Sequence, residues 1–278
     1  MKSCVTISLV EQARGGPFVF SGDLEGACRA AGEIGFDAVE IFAPGPAAID
    51  AAKLRALLSQ YNLSLAALGT GGGWVVHRLQ LADGNAARRQ SAVDYIKAMI
   101  DFGADFGAPA IIGSMQGRSG DDVSPAAASE YLREGLEQCA IHASASGVPL
   151  LYEPLNRYET NQINTVADGM QLLAQLSCRN VKLLCDLFHM QIEERDLPLA
   201  IRQAADHIGH VHFADSNRRA VGFGHFGMHG VISALREIGY QGYLSAEVFP
   251  WPDSRSAAER TIAAYRHWAW DARGSASA

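Results

Sequence analysis

The sequence predicts a single α/β domain folded as a (β/α)8 (TIM) barrel, and three observations predict it. Short apolar, β-rich runs alternate with longer amphipathic stretches along the chain, the signature of repeated βα units and a parallel sheet. Eight such runs can be assigned, the strand number of a closed parallel barrel. The chain has 278 residues and 48% hydrophobic composition, which suits one large core and lies near the roughly 250 residues such a barrel uses. No linker or low-complexity break interrupts the repeat. The domain is therefore expected to span 1–278, ending in a short disordered tail from about 272.

Each element has a local reason. Val5 to Leu9 is the first strand; Asp23 can cap a helix to Ile34, which Gly35 closes at C′. Ala38 to Phe42 is strand two, and a helix from about Ala47 to Tyr61 leads to strand three, Leu63 to Leu68. The next residues, G-T-G-G-G-W (Gly69 to Trp74), read as a loop, either a mobile lid or a phosphate cradle, although the Lys and Ser/Thr of a P-loop are missing. Arg88 to Phe106 is helical and Ala110 to Gly113 is strand four. Ser124 followed by Pro125 starts a helix that Gly147 ends.

Strand five is Pro149 to Glu153, then a helix from Val166 to Leu176. Strand six is Val181 to Asp186, followed by a helix from Leu197 to Asp206. Strand seven is Ile208 to Phe213, followed by a helix from Val231 to Ile238 that Gly239 stops. Strand eight is Tyr243 to Val248, and a helix from Ser256 to Trp268 closes the outer ring.

The formal net charge is -7, with acidic and basic residues interspersed and no basic stripe. That argues against nucleic acid or an anionic membrane as partner and favours a small molecule. No run reaches about 18 apolar residues, so no membrane span is expected. The N-terminus enters V-T-I-S-L without the pattern of a signal peptide, which predicts a cytoplasmic protein. Five cysteines without C-x-x-C pairing are expected to be reduced thiols. A homo-oligomer is compatible with the sequence.

The chemistry gathers in the second half. In P-L-L-Y-E-P-L-N-R-Y-E-T (Pro149 to Thr160) an apolar strand ends in a carboxylate, Glu153, and a proline stops it. The next three strands also finish on metal-ligand types: Asp186, His212 and Glu247. They recur about once per βα unit, so they fall at equal height on neighbouring strand ends of the C-terminal rim, where such barrels keep their chemistry. Three carboxylates and one imidazole form a hard, oxygen-rich set suited to Mn²⁺, with Mg²⁺ or Co²⁺ accepted. Arg218, in D-S-N-R-R after strand seven, could balance the remaining negative charge and hold hydroxyls.

The segments E-P-L-N-R-Y-E-T, D-L-F-H-M, H-F-A-D-S-N-R and S-A-E-V, in this order and spacing, resemble the sugar isomerase and epimerase family of xylose-isomerase-like barrels. Within it they are most similar to the D-tagatose 3-epimerase, D-psicose 3-epimerase and hydroxypyruvate isomerase branch. The resemblance covers about Gly35 to Pro250 in organisation, with its specific motifs in 149–250. It implies one divalent ion bound by Glu153, Asp186, His212 and Glu247, proton exchange with substrate by Glu153 and Glu247, and a sugar held by Glu159, His189 and Arg218. In one place the pattern departs: where the family has G-x-G-x-x-D, this chain reads G-F-G-H-F-G from Gly222 to Gly227, so Gly227 occupies the acidic position.

Such a site would remove a proton beside a carbonyl, with the metal stabilising the enediolate. Two carboxylates on opposite faces would invert a stereocentre; one carboxylate on one face would interconvert aldose and ketose, and the sequence is consistent with both. A dehydratase acting on an inosose uses the same parts, and a sugar-binding protein without turnover would keep the metal. An endonuclease IV-like hydrolase needs further histidines at strand ends three and four, which here read L-A-A-L-G-T and I-I-G-S-M. His210 shares the inward face of its strand with His212 and is expected to lie one layer deeper as a core histidine. His225 and His229 are expected in loops, and Trp74, Phe249 and Trp251 are candidates to wall the sugar.

Overall fold

The computed structural model describes residues 1–269; the tail expected to be disordered from about 272 lies outside them. The strands are β1 (Lys2–Ser8), β2 (Phe20–Ser21), β3 (Ala38–Phe42), β4 (Ser64–Gly69), β5 (Ala110–Ile112), β6 (Leu150–Tyr152), β7 (Val181–Asp186), β8 (Ile208–His212) and β9 (Tyr243–Ala246). They pair in parallel in the order β2-β1-β3-β4-β5-β6-β7-β8-β9, and β9 pairs back onto β1. The closed ring is thus β1 and β3 to β9, the eight strands expected, and β2 is a two-residue spur on β1. Closure leaves no edge strand in the ring itself.

The helices are α1 (Leu24–Ile34), α2 (Ala51–Gln60), α3 (Gly72–His77), α4 (Ala86–Ala104), α5 (Pro125–Ala145), α6 (Val166–Ala174), α7 (Leu187–Glu193), α8 (Leu197–Ala204), α9 (Met228–Glu237) and α10 (Ser254–Trp268). Their starts follow their caps. Asp23 accepts the Gly26 N–H at 3.0 Å, and Ser124 accepts the Ala127 N–H at 3.3 Å with Pro125 in the first turn. Gly35 takes the left-handed conformation at φ 95°, as a C′ residue does.

For three helices a side-chain cap sets a start that differs from expectation. Helix α2 begins at Ala51 rather than Ala47 because Asp50 accepts the Lys53 N–H at 2.9 Å, and residues 46–48 form a separate 3₁₀ turn. Asn85 starts α4 and Asp253 starts α10, each two residues ahead of expectation. Helix α9 begins at Met228, so His229 is helical and not in a loop.

The glycine-rich stretch after β4 is not a loop throughout. From Gly72 it is helix α3, and Gly72 and Gly73 are buried. A methyl group on Gly72 would collide with the Ala43 carbonyl oxygen, and one on Gly73 with the Met115 sulfur. These glycines are there for close backbone packing.

Apolar faces of the strands and helices share one continuous layer that includes Val5, Ile7, Ile41, Leu68, Ile96, Ile100, Leu136 and Val231, all at most 2% exposed. Inside the ring, Ala67, Ile111, Leu151 and Leu184 form a separate apolar cluster. Among the described residues no helix is long and apolar enough to cross a membrane, and all five cysteines are unpaired.

Candidate active site and metal centre

Parallel pairing sets the four strand-end residues at one height. Asp186 is the register partner of His212, and His212 that of Ser245, two residues before Glu247. Glu153 follows the last residue of β6 and ties to β5 through its N–H, which donates to the Ile112 carbonyl at 3.0 Å. At the end of β5 the chain has Gly113, where any side chain would run into the Glu153 carboxylate. A β-bulge between Leu183 and Leu184 against β8 adjusts the register that carries His210 and His212 to the interior.

One ligand atom each from Glu153, Asp186, His212 and Glu247 lies within 4.8 Å of all the others. His212 Nδ1 stands 3.4 Å from Asp186 Oδ2, 3.5 Å from Glu153 Oε1 and 3.7 Å from Glu247 Oε2. Asp186 does two jobs: its Oδ1 accepts the Phe188 N–H at 2.7 Å, capping α7, and this leaves Oδ2 for the cluster. Helix α7 was not foreseen, and it is what places His189. His189 Nε2 lies 3.6 Å from Asp186 Oδ2 and 3.9 Å from Glu153 Oε1, while Asn156 holds its Nδ1 at 2.6 Å.

The donor set fits a divalent cation. Glu153 Oε1 and His189 Nε2 are buried and have no hydrogen-bond partner within the chain, and polar atoms so placed need a partner. Three crowded carboxylates need positive charge as well, and the side chains supply part of it. Arg218 Nη2 pairs with Glu247 and stands 3.7 Å from Asp186 Oδ2, and Nη1 lies 3.4 Å from Glu159 Oε1. Its guanidinium also stacks over Phe188 at 4.9 Å.

Arg218 is one of four non-glycine residues with positive φ among the described residues, at 55°. That conformation costs on the order of 1–3 kcal/mol and is held by two backbone bonds, its N–H to Asp215 and its carbonyl from Phe249. The loop around it is organised by Asp215, whose carboxylate accepts from the N–H groups of Ser216, Gly222 and Phe226.

Electrostatics divide the carboxylates. Burial pushes Glu247 up to about 7, against the pull of Arg218 and His212, with Glu153 and Asp186 adding to the rise. Burial acts on Asp186 in the same sense, but His189, His212 and Arg218 outweigh it and hold its carboxyl well below the usual range. His212 is raised despite its burial, chiefly by Glu40 and Glu247.

Six of the seven residues singled out in the sequence line one cavity of about 630 Å³; Asp186 is not among its lining residues and joins the cluster through Oδ2, 3.4 Å from His212 Nδ1. Trp74 also lines it; Phe249 and Trp251 do not, and Trp251 packs instead on Phe223 and Arg219. His225 is in a loop as expected, 3.0 Å from Ser216 Oγ. His210 is 1% exposed and bonded, as a core histidine should be. Sequence reasoning missed Glu40, an acid in the middle of the apolar run A-V-E-I-F, which lines the cavity and reaches both His210 and His212. The polar interruption of a buried strand was the available signal.

Gly227, the departure from the family pattern, is the exposed N-cap of α9 and has nothing near the position of a Cβ. The missing acid is therefore a missing cap and not a missing site residue. Gly227→Asp is expected to raise stability by a few tenths of a kcal/mol, measurable by calorimetry, with turnover unchanged. A fall in turnover would give the position a role in the substrate loop.

A sequence profile of the family described as xylose isomerase-like TIM barrel matches residues 28–266. The chain belongs to this family. Among relatives in it, an L-ribulose 3-epimerase from Mesorhizobium japonicum is 32% identical over 78% of this chain and 72% of its own. A 3-dehydro-D-guloside 4-epimerase from Escherichia coli is 37% identical over 45% of each chain. A crystal structure of the D-psicose 3-epimerase from Clostridium cellulolyticum H10 with D-tagatose superposes with a TM-score of 0.81 at 23% identity, covering 96% of this chain and 99% of that one. Relatives in the xylose isomerase-like barrels are thus named as epimerases, which supports an isomerase-class enzyme here.

Proposed function

We propose that the protein is a divalent-metal-dependent sugar epimerase that moves a proton on the carbon beside a ketose carbonyl, with C3 of a free ketose as the site of inversion. The observation that carries this reading is the meeting of Glu153 and Glu247 around one four-ligand cluster, from strands β6 and β9 that two others separate. A divalent ion held by Glu153, Asp186, His212 and Glu247, Mn²⁺ in the first place, would supply a Lewis acid for the negative charge that develops on the sugar oxygens.

The side chains supply the rest. Glu153 and Glu247, approaching the sugar from different sides, take the proton from one face and return it to the other. Before any cation is counted, burial raises Glu247 to about 7, so its carboxylate is a stronger base than an exposed one. Arg218, His189 and Glu159 fix the sugar by its hydroxyl groups and orient the carbon that reacts. A cavity of about 630 Å³ and an acidic chain suit a small neutral sugar better than a nucleic-acid strand. Five unpaired cysteines accord with a place in the cytoplasm.

Incubation with unphosphorylated ketoses and Mn²⁺ in D₂O tests the reading. Deuterium is expected at C3 together with formation of the C3 epimer, followed by NMR. Deuterium at C1 with an aldose product would make the enzyme an isomerase instead, and no exchange on any carbon beside the carbonyl would overturn both.

A further inference from the structure

Glu40 sits in mid-strand on β3, one layer below the strand ends, and is 5% exposed. A carboxylate in such a place costs several kcal/mol unless its oxygens are bonded, and an apolar residue would fill the position without that cost, as Ala67 does beside it on β4. Both oxygens are used. Oε2 lies 2.9 Å from His210 Nε2, and Oε1 lies 3.2 Å from His212 Nε2.

The two nitrogens of His212 therefore face different company. Nε2 meets Glu40, and Nδ1 meets the three carboxylates of the candidate metal centre. To act as a metal ligand the ring must keep one proton and offer a lone pair at the other nitrogen. Left to themselves, three carboxylates around Nδ1 would favour a proton there, the wrong place for a ligand. A fourth carboxylate on the far side of the ring gives the proton an acceptor at Nε2 when a cation takes the place at Nδ1.

We propose that Glu40 is a positioning residue that takes the Nε2–H of His212, so that Nδ1 turns its lone pair to the cation shared with Glu153, Asp186 and Glu247. His210 completes the device by bonding the second oxygen of Glu40, its ring perpendicular to that of His212 at 5.7 Å. A carboxylate behind a ligating imidazole fixes its orientation and raises its basicity, and losing it costs roughly 10–100-fold in metal affinity. The inference rests on the metal centre proposed above.

Mn²⁺ titration by calorimetry on the wild type, Glu40→Ala and Glu40→Gln tests it. Glu40→Ala is expected to bind roughly 10–100-fold more weakly. Glu40→Gln, whose amide oxygen still accepts the Nε2–H, is expected to recover most of that loss, which a merely structural role would not predict. In ¹⁵N-histidine spectra of the Mg²⁺-loaded wild type, the His212 proton is expected on Nε2. Binding by Glu40→Ala within twofold of the wild type, or a proton on Nδ1, would overturn the proposal while leaving the metal centre standing. A wild type that binds no divalent ion would remove both. Should Glu40→Ala fail to fold, the wild-type spectrum decides alone.

Discussion

Glu247→Gln is expected to lower kcat by roughly 10³-fold, the middle of the range that a positioned acid or base contributes. The amide keeps the shape of the side chain and can still accept a bond from Arg218, so the pair that holds the loop after β8 survives in weaker form. It cannot take up a proton. Burial, the largest influence on Glu247, disfavours its charge, and a neutral amide avoids that penalty while weakening the pair with Arg218, so the metal-free variant should melt close to the metal-free wild type. Mn²⁺ binding should weaken without vanishing, because Glu153, Asp186 and His212 remain. Steady-state kinetics beside calorimetric Mn²⁺ titration separate the two effects. Turnover within tenfold of the wild type would remove Glu247 from the proton-transfer step.

Stripping divalent metal with a chelator is expected to abolish turnover and to lower the melting temperature. An ion present at about 100 times its dissociation constant stabilises the folded state by about 2.7 kcal/mol, and a chain of this size shifts by about 2–4 °C per kcal/mol. A loss of roughly 5–10 °C is expected, restored by Mn²⁺ and also by Mg²⁺ or Co²⁺. Without the ion, the charge of Glu153, Asp186 and Glu247 is opposed chiefly by Arg218 and His212.

The binding should also depend on pH, with a definite sign. Without metal, burial holds Glu247 near 7, and Glu40 and Glu247 hold a proton on His212 well above its usual range. Both groups must be free of protons at their ligating atoms, so the ion competes with protons at low pH and wins as pH rises. Affinity for Mn²⁺ is expected to grow roughly tenfold or more between pH 6 and pH 8, with protons released on binding. Calorimetry in buffers of different ionisation heat measures that release. Metal affinity that stays flat over this range, or turnover that survives complete chelation, would contradict a shared ion.

Much of this was open to inspection in the sequence because a barrel repeats. An apolar run that ends in Glu153, Asp186, His212 or Glu247 marks both a strand and its C-terminal end, and even spacing puts those ends on one rim. Caps such as Asp23 and Ser124 announced their helices because an N-cap is a local bond between a side chain and a backbone a few residues on. Helix α7 escaped because it is short and starts directly from a strand, with the strand-end residue Asp186 doubling as its cap. The glycines after β4 misled because a glycine needed for close packing and one needed for a flexible turn are spelled alike.

The chain by itself determined the alternation of strands and helices, the four ligand types at successive strand ends and the arginine that follows them, since all of these depend on neighbours in sequence. Only the tertiary structure decided that Glu40 of β3 stands behind His212 of β8, that His189 turns into the cavity and that Gly113 leaves room for Glu153. The first contact joins residues 172 apart and exists only once β9 has paired with β1; the last needs β5 beside β6, and His189 needs the short helix α7. A pattern of hydrophobicity says which face a side chain takes but not what it will meet there.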